Sequence, residues 1–217
     1  MMTQFEVGMV FNRDKATEIA RRRYDRNALF YDWMEAPMER GGFSPWRHKL
    51  WSLVEGPDVL EVGVGTGKNF PYYPKDVRVT AIDFSPRMLD RARRKAEEAG
   101  IKVDLGEMDA QHLEFADGSF DTVLTTFVFC SVPDPVLGLK EIRRVTKPTG
   151  KVILLEHVRP LGMLGNVADA INPLVVRMMG ANINRRTEDN IERSGLRIER
   201  VESLWRDIVK LIVARPQ

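Results

Sequence analysis

The chain has 217 residues, 43% of them hydrophobic and 29% charged, enough for one compact α/β domain with a sizeable core. Thirty-three basic side chains against 31 acidic ones leave a formal charge of +2, which gives no electrostatic reason to hold a polyanion and argues against nucleic acid as a partner. The single Cys130 excludes an internal disulfide and a multi-cysteine metal site, so a cytoplasmic setting is the expectation.

Glu6, Arg13, Asp14 and Lys15 interrupt the apolar residues at the start of the sequence, unlike a secretory signal. From Asn12 to about Glu39 the spacing of Ala16, Ile19, Ala20, Ala28, Leu29 and Tyr31 predicts one or two helices forming an N-terminal cap. A short segment with Trp46 and Trp51 leads to the apolar run Val59-Leu60-Glu61-Val62, the first predicted strand, which stops in a glycine-rich turn. Val77 to Ile82 is a second, β-branched strand. Ser85-Pro86 then supplies an N-cap and first-turn proline for a helix striped by Met88, Leu89, Ala92, Ala96 and Ala99 and ended by Gly100.

Ile101 to Leu105 is a third strand candidate, and Phe120 to Phe129 a fourth. Pro133-Asp134-Pro135 opens a helix through Val145, and Lys151 to Val158 is a fifth strand whose continuous apolar character suits burial on both faces. Leu161 to Gly180 reads as an interrupted helix; its polar breaks at Asp169, Asn172, Pro173 and Arg177 suit a segment lying on a membrane rather than crossing one. Glu188 to Ser194 reads as a short helix, and Arg197 to Ser203 and Ile208 to Ala214 as a terminal hairpin. The alternation predicts a doubly wound, mostly parallel seven-stranded α/β sheet with an antiparallel terminal strand, its ligands outside the carboxyl ends of the strands.

Gly63, Gly65 and Gly67 follow the first strand, where the chain must turn tightly and let a ligand approach the backbone. Asp83 stands 20 residues beyond Gly63 at the end of the second strand, where a carboxylate can accept from both hydroxyls of a ribose. A dinucleotide fingerprint would place a third glycine where Lys68 stands, and Glu61 is awkward beside a pyrophosphate but apt for an ammonium group. A cationic, phosphate-free nucleoside is therefore favoured over the nicotinamide cofactor of an oxidoreductase. A non-catalytic binding module on the same scaffold is the third alternative.

The run Glu61-Val62-Gly63-Val64-Gly65-Thr66-Gly67 resembles the first motif of the class I S-adenosylmethionine-dependent methyltransferases. Val79-Thr80-Ala81-Ile82-Asp83-Phe84 looks like their ribose-binding segment, and Met108-Asp109-Ala110-Gln111 like the segment flanking the adenine. Phe120-Asp121-Thr122-Val123 and Lys147-Pro148-Thr149-Gly150-Lys151 are similar to later signatures. Tyr24 to Asp32, Thr126 to Val132, Leu155-Glu156-His157-Val158 and Gly180 to Arg185 resemble the branch that holds quinone C-methyltransferases, bacterial phosphatidylethanolamine N-methyltransferases and thiol S-methyltransferases.

The resemblance implies a fold with a helical cap over residues 1–50, a cofactor core over 51–158, and acceptor-site helices with the hairpin over 159–217. It implies S-adenosyl-L-methionine as cofactor, with Glu61 at the motif, the three glycines around the methionine moiety and Asp83 on the ribose. Asp109, Ala110 and Gln111 would meet the adenine, Phe84 and Met88 would pack on it, and Phe127 would lie at the methionine end. Met88 fits a core position on its helix stripe equally well.

Tyr24 and Tyr31, seven residues apart on one helix face, would cover the cofactor or pack that helix on the sheet. His157 and Tyr24 are the candidate bases. His157 fits the acceptor rim or a structural role, His112 suits the surface, and Cys130 a buried filler. No metal cluster is visible. Residues 161–186, with Met163, Leu164, Met178 and Met179, should form much of the acceptor wall or simply pack as helix. The expected acceptor is an amphiphilic small molecule or lipid, first a phospholipid amine or a small thiol and second a quinone-type ring; peripheral contact with a membrane is compatible with it.

Overall fold

The computed structural model describes residues 17, 18, 21, 22, 42–179 and 181–217, the side chains of 178 and 179 excepted. Most of the expected N-terminal cap, including Tyr24 and Tyr31, lies outside the described residues; positions 17, 18, 21 and 22 are helical. Seven strands form one sheet: β1 (Asp58–Val62), β2 (Arg78–Asp83), β3 (Asp104–Glu107), β4 (Phe120–Thr126), β5 (Thr146–His157), β6 (Leu196–Trp205) and β7 (Val209–Pro216). The described helices of a full turn or more of α-type are α1 (Ser44–Trp51), α2 (Pro86–Ala99), α3 (Pro135–Val145), α4 (Gly162–Met179) and α5 (Thr187–Arg193).

The strand order is β3-β2-β1-β4-β5-β7-β6. β1 pairs in parallel with both β2 and β4, and β4 with β5, so the direction of winding reverses between β1 and β4. That is where a doubly wound sheet leaves a crevice beyond its carboxyl ends. β7 runs antiparallel to β5 and to β6, which puts the last strand inside the sheet and β6 on the edge. The terminal hairpin is thus an insertion: β7 has the apolar sequence and takes the buried position, while the charged alternation of β6 suits an edge.

Alternation along the strands divides the core into two layers. Leu60, Val62, Val123, Val152 and Leu154 pack with Leu139 and Ile142 of α3 and Ile191 of α5. Val59, Ala81, Leu124, Ile153 and Leu155 pack on the other face with Leu50 and Trp51 of α1 and Leu89, Ala92 and Ala96 of α2. Ser85 caps α2, its side chain accepting from the Met88 amide at 3.2 Å, and Gly100 closes it in the left-handed region at φ 63°.

Several boundaries differ from the sequence reading. The fourth strand ends at Thr126, not Phe129, because Phe127 adopts φ 57° and turns the chain off the sheet. The third strand begins at Asp104, where Thr80 of β2 pairs with it. The segment around Trp46 and Trp51 is a helix. α4 is continuous through Pro173 where an interruption was expected.

Candidate functional site

The crevice at the switch point holds a cavity open to solvent on one side. Gly63 and Gly65 form part of its wall after β1, Asp83 and Phe84 after β2, Asp109 and Ala110 after β3, and Phe127 and Val128 after β4, with Met88 from α2. The glycine turn is pinned to β2: the Gly63 and Val64 amides donate to the Ile82 carbonyl at 2.8 and 2.9 Å. Gly63 has φ 77°, and a Cβ there would stand 2.4 Å from Val128. Gly65 has φ 56°, but a Cβ would meet nothing within 4 Å, so the space beside it is open.

Asp83 is only 6% exposed. The Gly65 amide donates to its Oδ2 at 2.8 Å and the Ser85 amide to its Oδ1 at 2.9 Å, fixing the carboxylate at the rim. Asp109 is held by Gln111, whose backbone amide donates at 2.8 Å and whose Nε2 reaches both carboxylate oxygens, and by the Thr17 hydroxyl at 3.1 Å. Gln111 Oε1 in turn accepts from the Asp134 amide ahead of α3, so its side chain braces the cavity wall instead of lining it. Thr17, from the N-terminal region, lines the cavity directly.

Glu61 is not among the described residues that line the cavity. Its position on β1 turns it to the α1 face, beneath the glycine turn, and it is 1% exposed. Asn69 donates to Oε1 at 2.7 Å and the Tyr73 hydroxyl donates to Oε2. Asn69 also donates to Thr126 and accepts from buried Arg47. Burial raises the Glu61 carboxyl to about 7 against the opposing pull of Tyr73, Asn69 and Arg47. The pairing of Glu61 with Asn69 and Tyr73 is a support for the turn that the sequence does not announce, because its members lie 8 and 12 residues apart across a loop. Gly67 also lies off the cavity; a Cβ on it would strike the Phe70 ring at 2.3 Å.

Glu156 and His157 at the end of β5 face opposite sides. Glu156, fully buried, accepts through Oε1 from Thr125 Oγ1 at 2.9 Å and from the Val128 and Phe129 amides at 3.0 and 3.3 Å. It therefore holds the loop that carries Phe127 and Val128 to the cavity. Its Oε2 has no partner, and burial lifts the carboxyl to about 7. His157 meets Phe127 edge-on, the ring centres 4.6 Å apart, and Phe127 meets Phe43 at 5.0 Å. Burial lowers the His157 pKa, so its imidazole is neutral at pH 7. His112 is exposed. Cys130 is half-buried; its thiol is pushed up to about 12, chiefly by burial, and donates to the Phe127 carbonyl.

This fold and cavity define a Rossmann-like α/β protein with a ligand crevice at the switch point of its sheet. Residues 60–154 match the methyltransferase domain family. A phosphatidylethanolamine N-methyltransferase of Cereibacter sphaeroides is 45% identical over 54% of this chain and 60% of its own length. A demethylmenaquinone methyltransferase of Lactobacillus johnsonii is 32% identical over 74% of this chain and 71% of its own. A human thiol S-methyltransferase is 42% identical over 52% of this chain and half, 50%, of its own. Among solved structures, an S-adenosylmethionine-dependent methyltransferase of Thermotoga maritima superposes with a TM-score of 0.69 at 22% identity, covering 90% of this chain and 99% of that one.

The chain belongs to the S-adenosylmethionine-dependent methyltransferases, a family whose cofactor is S-adenosyl-L-methionine, and it spans 60% and 64% of the length of the first curated relatives it matches. The cavity fits such a group: the open face of Gly65 is a cradle that any Cβ would fill, and the carboxylates of Asp83 and Asp109 flank it.

Proposed function

We propose that this enzyme methylates an amphiphilic acceptor met at a lipid surface, foremost a phospholipid head-group amine of the phosphatidylethanolamine type or a small thiol. The observation that carries this reading is the orientation of α4. Met163 is 84% exposed, Leu164 62% and Leu174 61%, with Val167 and Ile171 beside them and Leu161, just ahead of the helix, 74% exposed. On the side toward the body, Gly165 and Ala168 are buried and half-buried Asn172 bonds to Asn182 and to the Ile183 amide, with Val175 and Val176 half-buried further along; exposed Asp169 pairs with Arg159 at 2.8 Å. A helix of a globular surface turns its apolar stripe inward; this one turns it out, as an interfacial helix does. The segment following α4 is tied to the cavity rim, since Asn182 donates to the Cys130 carbonyl and Arg185 to that of Val132.

In this reading residues 51–158 are the cofactor core and 159–217 supply the acceptor side. Asp83, oriented by two backbone amides, accepts from the ribose hydroxyls. An adenine amino group takes the place of the Thr17 hydroxyl, or of one branch of the Gln111 bond, on Asp109. Met88 and Phe84 pack on the base, and Phe127 closes the methionine end. When bound, the cofactor supplies an electrophilic methyl group for in-line displacement. The protein aligns the acceptor and excludes water, and an amine must reach that point neutral.

A quinone-type ring is the second reading. The Lactobacillus johnsonii relative is named for such an acceptor. A carbon acceptor needs a nearby base, and neutral His157 beside Phe127 has the required form. The test is release of S-adenosylhomocysteine with phosphatidylethanolamine vesicles, a small alkyl thiol and a reduced quinone precursor side by side. Turnover with vesicles or thiol is the expected result; turnover with the quinol alone reverses the order of the two readings.

A further inference from the structure

Beyond the cavity, on the far side of Pro133, lies a cleft between the N-terminal turn of α3 and α5. Lys140, Arg185, Asn190 and Arg193 border it above Pro133 and Leu137. Pro133 also lines the cofactor cavity, so the two spaces share it as a wall. None of Lys140, Arg185 and Arg193 forms an ion pair among the described residues, although the chain spends its acidic side chains freely on other cations. The one carboxylate lining the cleft, Asp134, accepts from the Leu137 amide at 3.0 Å as the cap of α3.

Arg185 is the unusual member. It is half-buried; Nη2 donates to the Val132 carbonyl at 2.7 Å, while Nε is sealed from solvent with no partner. The Asp134 carboxylate acts on this guanidinium electrostatically but forms no ion pair with it among the described residues, and the planar fork of donors matches the oxygens of a phosphate. Two further cations, Lys140 and Arg193, border the same cleft, exposed and without an ion pair among the described residues.

We infer that this cleft is an anion subsite that takes the phosphodiester of the acceptor while the acceptor's amine reaches into the cofactor cavity past Pro133. This rests on the acceptor class proposed above and narrows it. In a phosphatidylethanolamine head group the phosphate is two methylene groups from the amine, so one molecule can address both spaces. An alkyl thiol or a quinol carries no anion, and the subsite gives neither any advantage. The cleft thereby selects among acceptors that the cavity alone would admit.

The experiment is calorimetric titration of the full chain, saturated with S-adenosylhomocysteine, using dihexanoylphosphatidylethanolamine below its micelle concentration and, separately, inorganic phosphate. Wild type is compared with Lys140→Gln/Arg193→Gln, two exposed positions whose change spares the core, and with Arg185→Lys, which keeps the charge and loses the fork. Retained binding of S-adenosylhomocysteine reports that each variant is folded. The expected result is saturable lipid binding weakened about tenfold or more in the double variant, and weakened in Arg185→Lys, as removal of charge-assisted contacts predicts. Equal lipid affinity in all three proteins, or no saturable lipid binding by wild type, overturns the inference. Phosphate binding that depends on Lys140 and Arg193 without lipid binding assigns the cleft to free phosphate and overturns the lipid assignment. Lipid binding that depends on these residues, with no S-adenosylhomocysteine released on addition of donor, keeps the subsite and removes the acceptor reading instead.

Discussion

Gly63 and Gly65 stand two residues apart in one motif and do different work. Gly63→Ala places a methyl 2.4 Å from the Val128 side chain at a backbone angle of 77°, so loss of stability and of cofactor binding together is expected. Gly65→Ala meets no protein atom, so it should cost only the strain of its left-handed backbone, about 1 kcal/mol, while blocking the cradle. Thermal melts and cofactor titrations of the two variants separate these effects. Asp83→Ala removes a carboxylate that both shapes the glycine turn and faces the cavity; a loss of at least about tenfold in cofactor affinity is expected by equilibrium titration. Glu156 shows what the sequence conceals at this scale. Its place at the end of an apolar strand is visible, but its three hydrogen bonds to residues of β4 and the following loop are not, since they join positions 27, 28 and 31 residues away. Glu156→Gln mimics the neutral acid that burial favours, so it should keep the fold and the loop, whereas Glu156→Ala should lose both, read by melting temperature and by KM for the cofactor.

Among the elements, α2 and α3 were legible because their ends carry local chemistry: Ser85 and Asp134 cap them, each accepting from an amide three residues on. The strands were legible from apolar runs, but their ends were not. Phe127 leaves β4 in a left-handed conformation that the pattern of its neighbours does not signal, and β3 starts where its partner permits. α4 is the element on which sequence reasoning was least able to choose. Its apolar residues suit an acceptor wall, a core helix or a membrane surface, and only the placement of Gly165, Ala168 and Asn172 against the body turns the large side chains outward. Replacing Leu164 and Leu174 by Ser should change unfolding free energy by less than about 1 kcal/mol in total, as for exposed positions, while reducing co-sedimentation with phosphatidylethanolamine-containing vesicles. A large loss of stability in that variant would show instead that the face is covered.

For the molecule as a whole, two fully buried carboxyls govern how stability follows pH. Glu61 and Glu156 are raised from 4.5 to about 7, so the folded chain binds more protons than the unfolded one between those values. Their contribution is fully present below pH 4.5 and is lost as pH rises toward 7, on the order of 3 kcal/mol for each. His157 acts in the opposite sense. Its pKa is lowered from 6.5, so its contribution is present above that value and lost as pH falls through the folded pKa. The ion-paired carboxyls of Glu55, Asp121 and Glu141 are lowered and lose their contribution only in more acidic solution. Urea unfolding should therefore give a stability that declines from about pH 5 to about pH 7, with a shallower slope in Glu156→Gln.

By itself the sequence determined the doubly wound sheet and the glycine turn at its switch point. Alternating apolar runs, capping residues and a glycine turn followed by Asp83 are local signals, each set by backbone geometry within a few residues. The tertiary structure alone decided that β7 inserts between β5 and β6, that Glu61 supports the glycine turn from below, and that α4 faces outward. It also brought Lys140, Arg185 and Arg193 to one cleft beside the cavity. Each of these depends on which distant segments come to lie together, and a side chain's partner across tens of residues of chain is fixed by packing, not by spacing.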